Sequence, residues 1–337
     1  MSATYKILKP GDIQELSIEK RQFNIDILHG LSESPKWLPT KYHYDDEGSR
    51  LFQKIMNLPE YYPTGCEFEI LKSKKNVISK LISNGSFNLV ELGAGDGAKT
   101  KVLLKHFSDE KLSFQYVPVD ISESAMKVLI SSIENEFPEI EVKGIVSDYF
   151  DGLKWLSNFN KKCNLVLFLG SNLGNFNAAH ARVFLRSLWN TLNHNDLVLI
   201  GFDLKKDIDL MIWAYNDSQG VTSEFNLNVL RRINRELGGD FNLNKFRHYA
   251  TYEVESGAIE SHLVSLEPQT VFIKEIGQTF HFDAWEHIHT EYSYKFLVSD
   301  IEKLAKETGY TIIEQLFDSE MYFVDSIWKV EKMESIE

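Results

Sequence analysis

The sequence NLVELGAGDG at residues 88–97 decides the fold of this chain of 337 residues. An apolar run that ends at Leu92 precedes a turn with glycine at every second position, and a helical pattern begins near Ala98. The glycines of the turn are Gly93, Gly95 and Gly97. Glycine lets the backbone approach a ligand that a β-carbon would keep away. The stretch therefore predicts a strand, a ligand-binding turn and the start of a helix.

An acid inside this turn narrows the class of ligand. Such turns occur in sites for NAD, FAD or S-adenosylmethionine, and a tight turn without any ligand has the same residues. Dinucleotide sites usually read Gly-x-Gly-x-x-Gly, whereas here the third glycine comes one residue earlier and Asp96 lies within the loop. A carboxylate repels a pyrophosphate but tolerates a cationic sulfonium ligand that carries an amino group. The turn therefore favours S-adenosylmethionine over a dinucleotide.

Two further acids follow the next two apolar runs. Asp120 ends the run from Tyr116, where a carboxylate can accept both ribose hydroxyls of an adenosine. Helix capping by Asp120 or Ser122 is the alternative, and we assign the cap to Ser122. Asp148 and Tyr149 end the third run, where an acid and a ring can hold the amino group and the face of adenine. Acids at three successive strand ends again favour S-adenosylmethionine.

Short apolar runs alternate with amphipathic helical stretches from residue 88 to residue 202. Strand and helix in alternation predict an α/β fold with a doubly wound, mostly parallel sheet that carries helices on both faces. A helix begins near Lys295, and residues 310–316 and 321–330 then read as two strands. We predict that these strands form a hairpin that closes the sheet.

The alternation weakens after Lys205, which indicates a second domain. Residues 221–237 read as a helix, and residues 251–273 alternate as β-strands do. We therefore predict a second, α+β domain. The predicted boundaries are residues 65–203 plus 296–337 for the first domain and residues 1–64 plus 204–295 for the second.

The composition and charge argue against several classes of protein. The chain has 49 acidic and 36 basic residues, and its net charge of −13 argues against a nucleic-acid partner, because phosphate binding needs a basic surface. Two cysteines give no disulfide framework, and no apolar run approaches the ~20 residues that cross a bilayer. Residues 1–14 lack the pattern of a signal peptide. We expect a cytoplasmic monomer with no membrane partner.

Two polar clusters have both a structural and a functional interpretation. The fourth apolar run opens into GSNLGNF at residues 170–176, where a ligand crevice and a purely conformational turn are equally good interpretations. A zinc site is one interpretation of three nearby histidines, His281, His287 and His289, because imidazole is a common zinc ligand. No cysteine pair or ordered set of further ligands completes such a site, so we predict no metal.

Several longer motifs occur in order along nearly the whole chain. They are YDDEGS at 44–49, LPEYYPT at 58–64, ELGAG at 91–95, YVPVD at 116–120, FLGS at 168–171, AYND at 214–217 and HTEYSYKF at 289–296. Through these motifs the chain resembles the histidine-specific Nα-methyltransferases of ergothioneine biosynthesis and their fungal dimethylallyltryptophan N-methyltransferase relatives. LPEYYP and the stretch from Thr290 to Phe296 are the most specific of them.

The resemblance implies a Rossmann-like class I methyltransferase domain, a substrate-binding domain, and S-adenosylmethionine as cofactor. The cofactor-binding residues that we predict are Gly93, Gly95, Lys99, Asp120, Asp148 and Tyr149. The implied reaction is the trimethylation of free L-histidine to its betaine, hercynine, by direct attack of the neutral α-amine on the sulfonium methyl. The implied partner is therefore a small amino acid.

The resemblance also implies roles for the substrate residues. Asn175 and Tyr215 would hold the carboxylate, and Tyr44 and the carbonyl of Gly170 the α-amine. The residues that would contact the side-chain ring are Tyr61, Glu291 and Ser293. The predicted catalytic residues are Tyr44, Gly170 and Asn175. A carboxylate and a hydroxyl suit the donor and acceptor of an imidazole, although Glu291 and Ser293 could also be alternate positions on one strand face.

One residue departs from the family pattern. Where the histidine enzymes read Ile-Glu-Met-His-Leu, this chain reads IESHL at residues 259–263, with Ser261 in place of the thioether. The smaller side chain opens space near the ring, so a tryptophan derivative or thiohistidine stays open as the substrate. A non-catalytic S-adenosylmethionine-binding module and an NAD-dependent oxidoreductase are the alternatives from other classes.

Overall fold

The computed structural model describes residues 4–7, 15–82, 85–156 and 162–332 of the chain. The strands of this part are β1 Thr4–Ile7, β2 Lys36–Trp37, β3 Phe87–Leu92, β4 Phe114–Asp120, β5 Glu141–Val146, β6 Cys163–Phe168, β7 Leu197–Asp203, β8 Phe246–Glu253, β9 Ala258–Ser265, β10 Gln269–Ile273, β11 Gln278–Phe282, β12 His287–Tyr294, β13 Tyr310–Phe317 and β14 Phe323–Val330. The helices are α1 Glu15–Ser32, α2 Asp46–Ile55, α3 Tyr62–Leu81, α4 Thr100–Asp109, α5 Glu123–Glu136, α6 Tyr149–Leu156, α7 Ala178–Thr191, α8 Ile208–Trp213, α9 Val221–Leu237 and α10 Val298–Thr308.

The chain divides into two compact units. The first unit comprises Met1–Leu8, Pro63–Lys205 and Tyr294–Glu337, and the second comprises Lys9–Tyr62 and Lys206–Ser293. The sequence places β1 in the second domain, but the structure pairs it in parallel with β5 in the first unit. That prediction is wrong for β1, because a four-residue strand carries no pattern that identifies its partner.

The first unit contains an eight-stranded sheet in the order β1-β5-β4-β3-β6-β7-β14-β13. The strands from β1 to β7 pair in parallel, and β14 pairs antiparallel with both β7 and β13. The predicted doubly wound, mostly parallel sheet and its closing hairpin are confirmed. The strand order reverses beside β3, because the chain continues to β4 on one side and later returns to β6 on the other. Ligands of such sheets bind at the carboxyl ends of the strands around this point.

Both faces of this sheet are covered by apolar side chains. Leu89 of β3 and Leu103 of α4 belong to the buried cluster on one face, and Val90, Phe168 and Trp328 belong to the cluster on the other. Every residue of β3 and of β7 is buried, as expected for central strands between two helical layers. The continuous apolar runs in the sequence follow from this double burial.

The second unit contains a four-stranded sheet in the order β2-β12-β9-β8 and a separate hairpin of β10 and β11. The predicted helix at residues 221–237 is confirmed as α9, which ends at Gly238 with a left-handed φ of +65°. Its buried Asn228 donates to the carboxylate of Asp45 at 2.7 Å, and Asn226 accepts from the hydroxyl of Thr290 at 2.7 Å. These bonds satisfy the amides that a helix so rich in asparagine brings into the core.

Strand β12 changes the face to which its side chains point. Thr290 and Glu291 are consecutive and both buried, and the rings of His289 and Tyr292 lie 3.9 Å apart. In a regular strand residues three apart point to opposite faces, so the alternation shifts by one residue between these rings, as at a β-bulge. The shift turns Glu291 and Ser293 to the same buried face as Thr290.

Within the described residues, no helix is both long and apolar enough to span a membrane.

Several histidine side chains of the second unit are buried, and their pKa values are lowered. Burial lowers the pKa values of His43, His248 and His262 to about 4, and that of His289 to about 3. An unfolded histidine titrates near pH ~6.5. The unfolded chain therefore binds more protons than the folded one below that pH, so the free energy of unfolding falls as the pH falls from about 6.5 towards 4.

We expect the substitution His248→Gln to flatten this pH dependence by up to about 1.4 kcal/mol per pH unit, because it removes one of the titrating groups. Urea unfolding at pH 7, 6 and 5, followed by circular dichroism, measures the slope. The control is His281→Gln, because His281 is exposed on β11. Equal slopes for the wild type and His248→Gln would contradict the role of His248.

Candidate functional site

The glycine turn between β3 and α4 has the backbone that its sequence predicts. Gly93, Gly95 and Gly97 have φ values of +75°, +55° and +65°, a region that side chains other than glycine rarely adopt. The amides of Gly93 and Ala94 donate to the carbonyl of Val119 at 2.8 and 3.2 Å, which ties the turn to the end of β4. A β-carbon at Gly93 would lie 2.8 Å from the hydroxyl of Tyr149.

Glu91, the residue two positions before the turn, forms hydrogen bonds that hold the ends of β3, α4 and β4 together. Its buried carboxyl accepts hydrogen bonds from the hydroxyls of Thr100, at 2.5 Å, and Tyr116. Burial raises the pKa of Glu91 to about 7, against the effect of these two donors. The bonds join the end of β3 to the first residue of α4 and to β4.

Asp120 lies at the carboxyl end of β4, where the sequence places it. Its two carboxylate oxygens accept from the amides of Gly95 and Ser122, both at 2.8 Å, and burial raises its pKa. The predicted cap is confirmed, because the hydroxyl of Ser122 accepts from the amide of Ala125 at 3.2 Å. Backbone amides therefore already occupy part of the acceptor capacity of Asp120, which comprises about four positions.

Asp148 and Tyr149 lie at the start of α6, and Tyr149 lies against Gly93 of the turn. Asp148 is exposed and accepts from the amide of Asp151 at 2.9 Å, so it begins α6. The ring of Tyr149 packs edge-on against Phe168, with centroids 5.3 Å apart. Asp96 accepts from the amide of Ala98 at 3.0 Å, so this acid also fixes the loop.

Sequence reasoning missed Glu67 of α3, whose side chain is fully buried in the first unit. Its carboxylate forms an ion pair with Lys99 and accepts from the amide of Gly170 at 2.8 and 2.9 Å. The signal is present in the sequence, because Glu67 comes four residues after Pro63 and three before Ile70, which are both buried on the same helix face. An acid on an apolar face is a candidate for a buried role.

The turn that follows β6 has two consecutive residues with left-handed backbone, Gly170 with φ +74° and Ser171 with φ +55°. The hydroxyl of Ser171 accepts from the amide of Asp203 at 3.1 Å. A short helical turn, Asn172–Asn175, then presents the partly buried Asn175. A β-carbon at Gly93 would lie 3.1 Å from Nδ2 of Asn172, so this turn lies beside the glycine turn.

In the second unit the structure brings four of the predicted substrate residues into one cluster. The hydroxyls of Tyr215 and Ser293 are 2.6 Å apart. The rings of Tyr61 and Tyr215 meet edge-on at 6.0 Å. Tyr44 joins them through Phe52 and Phe225, which were not among the predicted site residues. Its ring centroid lies 5.7 Å from that of Phe52 and 5.5 Å from that of Phe225. The cluster combines an aromatic wall with hydroxyl groups.

Glu291 and Ser261 lie on adjacent strands of the same unit. Glu291 is 8% exposed on the buried face of β12, and Ser261 of β9 is 1% exposed. The backbone carbonyl of Ser261 accepts from the hydroxyl of Thr290 at 3.0 Å, which joins the two strands beside Glu291.

His287 and His289 both lie near His262, with ring centroids 4.9 and 5.4 Å apart. Among the residues that the structure describes, no group of three or more His, Cys, Asp or Glu side chains could hold a metal ion. His281 lies on β11, outside this histidine group.

Comparison with known proteins identifies the family. A family model described as histidine-specific methyltransferase, SAM-dependent, matches residues 23–330. The histidine N-alpha-methyltransferase of Mycolicibacterium smegmatis is 37% identical over 284 residues, which cover 84% of this chain and 87% of that protein. The histidine N-alpha-methyltransferase of Mycobacterium tuberculosis is 36% identical over 271 residues, which cover 80% of this chain and 83% of that protein.

Ergothioneine biosynthesis protein 1 of Neurospora crassa is a more distant relative. It is 33% identical over 232 residues, which cover 67% of this chain and 26% of that protein. Because the family model and two relatives above 30% identity each cover most of the chain, the chain belongs to the family of histidine-specific, S-adenosylmethionine-dependent methyltransferases.

Proposed function

We propose that this enzyme methylates the α-amine of free L-histidine three times and so forms histidine betaine, hercynine, as a step of ergothioneine biosynthesis. The observation that carries the proposal is the pair Glu291 and Ser293, two residues apart on one face of β12 and both buried. An imidazole presents one donor and one acceptor, and a carboxylate and a hydroxyl can serve both. Indole presents a donor and no acceptor, so this pair favours histidine.

The residues around the glycine turn fit S-adenosylmethionine. A β-carbon at Gly93 would fill the space beside Tyr149, and the carboxylate of Asp120 at the end of β4 suits the ribose of the cofactor. Asp148 and Tyr149 suit the amino group and the face of adenine. Lys99 has donors beyond the one paired with Glu67, and these suit the carboxylate of the cofactor. When bound, S-adenosylmethionine supplies an electrophilic methyl group on a sulfonium.

The work of the protein is then to align an amine with that methyl group. Asn175 and Tyr215 would hold the carboxylate of the amino acid through their amide and phenol donors. Tyr44 and the carbonyl of Gly170 would hold its α-nitrogen. An ammonium has no lone pair, so the amine must lose a proton before each transfer, and Tyr44 would orient the nitrogen and pass that proton to water.

Tyr61, Glu291 and Ser293 would contact the imidazole. The hydroxyl of Ser293 is hydrogen-bonded to that of Tyr215. Ser293, proposed to contact the ring, is therefore linked to Tyr215, which is proposed to hold the carboxylate. This link would fix the distance between the two ends of a bound amino acid. The predictions of a monomer and of a cytoplasmic location stay predictions; sedimentation would test the first.

The first prediction concerns the ring. We expect Glu291→Ala to raise the KM for histidine by a factor that corresponds to about 1.5–3 kcal/mol, because a charged hydrogen bond to the imidazole is lost. Steady-state kinetics with mass detection of the mono-, di- and trimethyl products measures it. The matched control is Glu260→Ala, an acid of the neighbouring strand that lies within 3.6 Å of His262. An unchanged KM for Glu291→Ala would exclude this contact.

The second prediction concerns the size of the substrate. Ser261 is smaller than the methionine of the family pattern, so we expect Ser261→Met to lower kcat/KM for bulkier aromatic amino acids more than for histidine, by about 10-fold. A panel of histidine, thiohistidine and tryptophan with both enzymes gives the ratio. If the ratio stays the same in both, Ser261 does not face the substrate ring.

The third prediction concerns the cofactor turn. We expect Gly93→Ala to weaken the binding of S-adenosylhomocysteine at least about tenfold, because alanine is strained at a left-handed φ and its β-carbon displaces Tyr149. Calorimetry measures the affinity, and circular dichroism checks the fold. Gly65→Ala on α3 is the control, since nothing lies within 4 Å of its β-carbon. Equal affinities in all three proteins would disprove the close approach.

A further inference from the structure

Glu67 connects two turns of the first unit that have separate proposed roles. It forms an ion pair with Lys99, which immediately precedes α4 after the glycine turn, and its carboxylate accepts from the amide of Gly170. Lys99 also lies against Gly170, because a β-carbon there would be 3.3 Å from its Nζ. One buried carboxylate therefore links the cofactor turn to the turn that would hold the substrate amine.

A glycine in β7 makes room for this carboxylate. A β-carbon at Gly201 would lie 2.2 Å from Oε1 of Glu67, a distance that no packing tolerates. Gly201 has no left-handed φ, and glycine in the middle of a central strand weakens it, so the close approach explains its presence. The carboxylate of Glu67 lies over the sheet where other strands carry a side chain.

A second acid lies next to this position. Asp325 of β14 is the cross-strand partner of Gly201, and it is fully buried. Neither of its carboxyl oxygens has a hydrogen-bond partner that meets normal geometry among the described residues. Burial and the negative charge of Glu67 raise the pKa of Asp325 well above its usual range. The carboxyl groups of Glu67 and Asp325 therefore lie beside each other in a buried part of the sheet, and Glu67 is paired with Lys99.

The hydrogen bond from the Gly170 amide to Glu67 restrains the turn that follows β6. Gly170 and Ser171 both have left-handed φ values, which is strained for serine. The amide of Gly170 is fixed by Glu67, and the direction of its carbonyl follows from the same turn. A small rotation of this turn would move the carbonyl that is proposed to hold the amine.

We propose that Glu67, held over Gly201 beside Asp325, is a positioning residue that sets the distance between the methyl donor and the substrate amine. It acts through Lys99 and Gly170 and does not itself touch the reacting atoms. The proposal rests on the proposed function for the role of Gly170. A misplaced nucleophile lowers the rate of an in-line displacement far more than it lowers substrate binding.

The test compares Glu67→Gln with the wild type. We expect kcat for methyl transfer to fall about 10- to 100-fold, with less than about a threefold change in the KM of the amino acid. Hydrogen exchange of a peptide that covers residues 165–176 should become faster, because the Gly170 amide loses its charged acceptor. The matched control is Glu69→Gln, an exposed acid on the same helix, which should change neither.

Three further variants separate positioning from folding. Gly201→Ala keeps Glu67 but displaces its carboxylate, so it should reproduce the loss of kcat even if Glu67→Gln folds poorly. Asp325→Asn keeps a polar side chain of the same size beside Glu67, so it should retain more of the wild-type kcat than Asp325→Ala. A wild-type kcat in Glu67→Gln, or a loss of equal size in Glu69→Gln, would overturn the proposal.

The experiments distinguish a failure of the proposed function from a failure of the positioning role of Glu67. The amino acid used in these assays is the one that the wild type methylates best in the panel. A wild type that prefers an amino acid other than histidine contradicts the proposed substrate and leaves the comparison of Glu67→Gln with Glu69→Gln valid. Unchanged hydrogen exchange around Gly170 in Glu67→Gln contradicts the positioning role whatever the substrate.

Discussion

The hydrogen bonds from the amides of Gly93 and Ala94 to the carbonyl of Val119 are the interaction on which the candidate site depends. They fix the glycine turn to the end of the neighbouring strand. Once the turn is held there, the amide of Gly95 reaches Asp120, and Tyr149 closes over Gly93. A turn with side chains at these positions could not adopt the required φ values, so the fold and the ligand site impose the same glycines.

Periodicity was enough to predict the sheet, its closing hairpin and α9, because a strand buried on both faces and a helix buried on one leave distinct patterns. It could not place β1, whose partner is far away in the sequence. It could not show that the oxygens of Asp120 are already bonded to two backbone amides, since backbone donors leave no trace in the sequence. Family membership excludes the NAD-dependent oxidoreductase that the glycine turn alone left open.

The substrate residues were predicted through a resemblance, and the residues by themselves would not have identified them. Glu291 and Ser293 fit an alternating strand equally well, and only the structure shows that Thr290 and Glu291 are buried in succession. Glu67, by contrast, was missed although its position in the sequence carries a signal. Its helical pattern marks a buried face, but charged residues on helices are usually solvated, so the pattern was not applied to an acid.

The shift in β12 has a consequence for how specificity in this chain can change. The identity of the side chains that face the buried side is set by one extra residue in the strand, so an insertion or deletion before Glu291 would exchange the whole set at once. Tyr292 and Tyr294 would then take the places of Glu291 and Ser293 if regular alternation continued from Thr290. For the proposed site, strand register therefore matters as much as residue type, and a redesign of its specificity has to preserve the spacing of residues within β12.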